Sequence, residues 1–93
     1  MTENETAKAL VDQAMTAVEK AVMAINQTYV DVLKRQGTFT FENQKEAFQK
    51  AYDTAVSLMT QEAADYIDTM YGSASDWLTA QIEAQVRRQK NLS

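Results

Sequence analysis

The sequence contains no histidine and no cysteine. Those two absences remove Ser/His and Cys/His nucleophile pairs, zinc sites of the usual ligand type and the Glu-x-x-His motif of di-iron bundles. Disulfides are excluded as well, which fits a reducing compartment without requiring one. There is no proline, and the two glycines, Gly37 and Gly72, stand alone. Two isolated glycines cannot build a Gly-rich phosphate loop. No stretch approaches the ~18 consecutive apolar residues of a membrane span, and no signal peptide opens the chain. On these grounds the chain is expected to be soluble as given, and cytoplasmic. A net charge of −4 lacks the positive footprint of a general nucleic-acid binder. No catalytic residue, cofactor site or metal site is therefore assigned.

What is present is helix-forming sequence. At 93 residues, the chain reads as a single domain. From Thr6 to Arg35 runs a thirty-residue stretch without glycine or proline. Along it Val11, Met15, Val18, Val22, Ile25, Tyr29 and Val32 recur at spacings of 4-3-4-3-4-3. This is the a/d rhythm of a helix packed along its whole length. A second series of small residues, Leu10, Ala14, Ala17, Ala21, Ala24 and Thr28, lies beside it. Together the two series make an apolar surface wider than that of an ordinary surface helix. Such a helix requires partners on two sides.

The expected elements follow. Residues 1–5 form a frayed tail, and helix 1 spans 6–36, stopped by Gly37. Helix 2 spans 41–58, capped by Thr40 or Thr38, with Phe41, Phe48, Tyr52, Ala55 and Met59 inward and Ala47, Ala51 and Leu58 alongside. Helix 3 spans 61–71, capped by Thr60 and closed by Gly72, with Ala63, Tyr66, Ile67 and Met70 inward. Helix 4 spans 74–90, capped by Ser73 or Ser75, and buries Trp77, Leu78, Ile82 and Val86. Short connectors make neighbouring helices antiparallel or sharply angled. The expected fold is all-α: a helical bundle with a long N-terminal helix and three shorter helices folded back along it.

Few residues suggest chemistry. Glu62, Asp65 and Asp68 share one face of helix 3. They read as a solvated face, because hard-cation sites draw ligands from a loop or several elements. Tyr29 lies on the heptad seam just after Asn26-Gln27-Thr28. It reads either as a core aromatic with its hydroxyl at the rim or as a polar device at a packed seam. Trp77 reads either as core or as an interface anchor. Arg87, Arg88 and Lys90 complement the dipole of the last helix, or face anionic lipid or an acidic partner.

The segments Asn26-Gln27-Thr28-Tyr29-Val30-Asp31, Gln44-Lys45-Glu46-Ala47-Phe48-Gln49-Lys50, Tyr71-Gly72, Trp77-Leu78-Thr79 and Ile82-Glu83-Ala84-Gln85-Val86 occur in this order. The set resembles the soluble part of the LLH-type (superfamily VI) phage holins, over roughly Ala14 to Lys90. The resemblance implies a helical assembly domain from a phage or prophage, in relatives tethered to the bacterial inner membrane by an N-terminal span. That span is absent from this sequence, so any membrane contact would run through a segment not present here. The resemblance implies no catalytic residues. The function expected is non-enzymatic self-association, most simply a two-fold homo-oligomer, with a phage lysis or assembly protein as a further partner. The alternative is a structural or regulatory module that binds a different protein. The expected interface residues are Ala14, Ala17, Ala21, Ala24, Tyr29 and Trp77.

Overall fold

The computed structural model describes residues 3–92. Helix α1 (Glu3–Ile25) passes through a five-residue π-helical turn, Asn26–Val30, into α2 (Asp31–Arg35) without leaving helical geometry. Three further helices follow: α3 (Phe41–Leu58), α4 (Gln61–Tyr71) and α5 (Ala74–Leu92). Among the described residues there is no strand. The long rod of α1, π turn and α2 sets the 50 Å axis of a molecule only 23 × 19 Å across, as expected for about 1.5 Å of rise per residue. Helices α3, α4 and α5 all pack against α1.

The boundaries rest on local chemistry. Thr40 is extended and its hydroxyl accepts from Asn43 N–H at 3.3 Å, capping α3. Thr60 does the same for α4, accepting from Ala63 N–H at 3.2 Å. Ser73, rather than Ser75, caps α5 through Asp76 N–H at 3.1 Å. Gly37 and Gly72 take positive φ, 72° and 82°, where a side chain would be strained. The chain breaks between α3 and α4 at Met59, and Gln13 of α1 bridges that break. Its Nε2 donates to the Leu58 carbonyl at 2.8 Å and its Oε1 accepts from Thr60 N–H at 3.1 Å. Removing the Thr60 cap with Thr60→Ala should cost about 1 kcal/mol in a chemical-denaturation experiment.

Two boundaries differ from expectation. The N-terminal helix already includes Glu3–Glu5, where a frayed tail was expected, because Glu3 and Glu5 sit in the first turn and favour the positive end of the helix dipole. Met1 and Thr2, the rest of that tail, lie outside the described residues. The last helix continues to Leu92 instead of ending at Lys90.

One core joins α1, α3, α4 and α5: Ala14, Val18, Ala21, Val22, Ala51, Ala55, Ile67, Trp77, Leu78 and Ile82. Alanines are prominent in it. Ala14, Ala17 and Ala21 of α1 and Ala47, Ala51 and Ala55 of α3 are all buried. Small side chains at i, i+3 and i+4 positions let two helix axes approach closely. The small-residue line expected at a contact between protomers is therefore covered by the chain's own helices. Ala24, its last alanine, is exposed. Trp77, also expected at an interface, is a core residue with 9 % exposure. Its ring centroid lies 6.2 Å from that of Tyr71, across the Gly72 turn.

Several expected core residues are outside it. Phe41 is 67 % exposed and Met70 59 %. Phe41 opens α3 just after the Gly37 turn that follows α2, which buries no residue of its own; this end of the hairpin extends past the core. Met70 stands in the last turn of α4. Leu58 and Val86 are also exposed.

Candidate docking groove

The long helix changes phase in the π turn that opens on the polar triplet Asn26-Gln27-Thr28. In the π turn, Asp31 N–H donates to the Asn26 carbonyl, five residues back. A turn closed this way holds one more residue than an α-turn. The buried stripe, running through Val18, Ala21 and Val22, therefore continues at Val30 rather than at Tyr29. Side chains hold the turn at both sides. Thr28 Oγ1 donates to the Ala24 carbonyl at 2.7 Å. Asn26 Nδ2 donates to Gln89 Oε1 of α5 at 2.7 Å. π-turns inside α-helices recur at functional positions.

The displaced Tyr29 is half-buried on the flank, neither a core residue nor a seam residue. Its hydroxyl donates to Glu46 Oε2 at 2.6 Å and Lys50 Nζ lies 5.1 Å from its ring centroid. The hydrogen bond to the Glu46 carboxylate, helped by desolvation and by that carboxylate's charge, holds the phenol above its ordinary pKa. Tyr29 thus ties the long helix to α3.

On the other side of the π turn, the long helix, α3 and the end of α5 enclose an open groove of about 660 Å³. That lies within the ~300–1,000 Å³ range of ligand-seating pockets. Buried Val22, Val30, Ala47, Ala51 and Ile82 form its floor, and exposed Met23 and Val86 stand at its edge. Phe39 closes one end, with Lys34 Nζ 5.5 Å from its ring centroid. Asn26, Gln27, Asp31, Gln44, Glu83, Arg87 and Gln89 supply the polar lining. Gln89 Oε1 is held by Asn26, but its Nε2 is buried and, among the described residues, has no hydrogen-bond acceptor. An unpaired buried donor is costly and calls for a partner.

Of the six residues expected at an interface, none lines this groove. The residues that do were missed because the groove exists only where α5 meets the π turn. Two signals pointed to it. Met23 is an apolar residue belonging to neither heptad series, and Asn26-Gln27-Thr28 puts three polar residues in a row on the long helix. Elsewhere the acidic face of α4 is exposed at Glu62, Asp65 and Asp68. Asp65 accepts from Gln61 Nε2 at 2.8 Å and Asp68 from Ala74 N–H at 2.9 Å, so both serve local structure. Among the described residues, no group of three His, Cys, Asp or Glu side chains is arranged to hold a metal ion. Nor is any described helix long and apolar enough to cross a membrane. No protein-family model, curated protein or solved structure matches the chain.

Proposed function

We propose that the chain is a non-enzymatic helical assembly domain that acts by self-association, of the kind a holin-like phage or prophage protein carries beside its membrane span. The observation that supports this reading is the groove beside the π turn. It is open and apolar-floored, and exposed Met23 and Val86 stand at its edge. The chain spends its broad small-residue line on its own core, so the groove replaces that line as the surface for association. Apolar surface with Met and aromatic residues at its edge is typical of protein contact sites.

Sedimentation velocity over a micromolar concentration series tests the reading. The wild-type chain should show a mass rising above the single-chain 10.5 kDa. Met23→Glu combined with Val86→Glu should remain monomeric with an unchanged helical circular-dichroism spectrum, because both side chains are exposed. A wild-type mass of one chain at every concentration would overturn self-association.

A further inference from the structure

The segment through the π turn carries its apolar residues as adjacent pairs, Tyr29-Val30 and Val32-Leu33. In an uninterrupted α-helix, Tyr29 and Val32 continue the series from Val22 and Ile25 at spacings of 3-4-3. With one residue added to the turn, Val30 and Leu33 take their places. The sequence therefore supplies an apolar residue for either register. The structure holds the second one, with Val30 buried and Tyr29 on the flank. These two neighbours line different recesses. Val30 lies on the floor of the groove, whereas Tyr29 lines a smaller recess beside Lys50, Asp53 and Thr54.

Little beyond the turn opposes a change of register. Taking the extra residue out of the turn would rotate α2 by about 100° and shift it by ~1.5 Å. α2 buries no residue of its own. Among the described residues, no Cα of α3, α4 or α5 lies within 8 Å of a Cα of α2. Residues 36–40, which lie outside the helices, are free to take up the shift. The backbone keeps its hydrogen bond, because the Asn26 carbonyl would accept from Val30 N–H, four residues on, in place of Asp31 N–H. Three side-chain contacts favour the present register: the Tyr29 hydroxyl donating to Glu46, Lys50 over the Tyr29 ring and Lys34 over the Phe39 ring. Each depends on an exposed charged side chain, and such contacts are weak in water.

We infer that the π turn is a register switch that opens and closes the groove. In the π register Val30 forms part of the floor, Tyr29 is tied to Glu46 and the groove is open. In the α register Tyr29 takes the place of Val30, its larger ring fills part of the groove, and Val30 turns aside. The switch belongs to the single chain and does not depend on self-association. Anything that binds the open groove would hold the π register, by binding one of the two states better than the other.

Relaxation dispersion on the ¹⁵N-labelled full chain tests it. The wild type should show microsecond-to-millisecond exchange at Asn26–Arg35 and at Ala47, Ala51 and Ile82 on the groove floor, all with one rate and one minor population. Tyr29→Phe removes the bond to Glu46 and keeps the ring. It should raise the minor population about tenfold, and new contacts should appear between that ring and Ile82. Tyr29→Lys places a charge where the ring would be buried, and should abolish the exchange. Position 29 lies outside the core cluster, and circular dichroism checks that both variants stay folded. The exchange should be the same at two dilutions. Exchange that disappears on dilution belongs to association, and would overturn the switch while leaving self-association standing. Exchange unchanged in Tyr29→Lys would overturn it too, as would a silent wild type whose Tyr29→Phe variant shows neither exchange nor the new contacts.

Discussion

Val22→Asp should leave the chain largely unfolded at 25 °C. Val22 is 1 % exposed and belongs to the central cluster with Val18, Ala51 and Ile82. The substitution puts a carboxylate where the described neighbours are apolar. Leaving a charge unpaired in such a site costs several kcal/mol, or forces the group to bind a proton. A domain of this size has a total stability of roughly 5–15 kcal/mol. A core with so few large residues places it toward the lower part of that range. The contrasting change is Lys20→Ala on the exposed face of α1, which should move stability by no more than about 0.5 kcal/mol. Thermal denaturation followed at 222 nm checks both. A Val22→Asp variant melting within a few degrees of wild type would mean that α1 is not packed as described.

The second large effect is expected for Ala17→Glu combined with Ala21→Glu. From the sequence alone, this pair would be expected to dissociate protomers while leaving most of the helix intact. In the folded chain Ala17 is 2 % exposed and Ala21 0 %, and both face the chain's own helices. Two glutamates there would add volume and charge to close-packed positions. Overpacking a core costs about 1–3 kcal/mol per site, and burying each carboxylate adds more. The double variant should therefore lose its cooperative unfolding transition and most of its helicity. A monomer with wild-type helicity would return this alanine line to the molecular surface.

These two substitutions mark the boundary of what the sequence reveals. The caps at Thr40, Thr60 and Ser73 and the left-handed stops at Gly37 and Gly72 were legible, because each depends on a few neighbouring residues. The heptad through Val18 and Val22 was legible for the same reason: it is a local period. Which of the two seams the chain would cover with its own helices was not legible. Covering Ala14, Ala17 and Ala21 depends on where Ala47, Ala51 and Ala55 come to lie, some thirty residues away. The π turn was half legible. Asn26-Gln27-Thr28 stood out as a polar run just before Tyr29 on the packed seam, but the shift from Tyr29 to Val30 follows from a backbone bond between Asp31 and Asn26. The groove was the least legible feature. It depends on the reach of α5, which brings Ile82, Val86 and Gln89 against the π turn.

The groove as an association surface is the centre of this account, and amide chemical shifts on dilution test it most directly. In ¹⁵N-resolved spectra recorded from millimolar to low micromolar concentration, changes should concentrate at Val22–Val30, Ala47, Ala51 and Ile82–Gln89. The exposed face of α1 at Glu3, Lys8 and Asp12 should stay still. Spectra that do not change with concentration, or changes that spare the residues around the π turn, would contradict it.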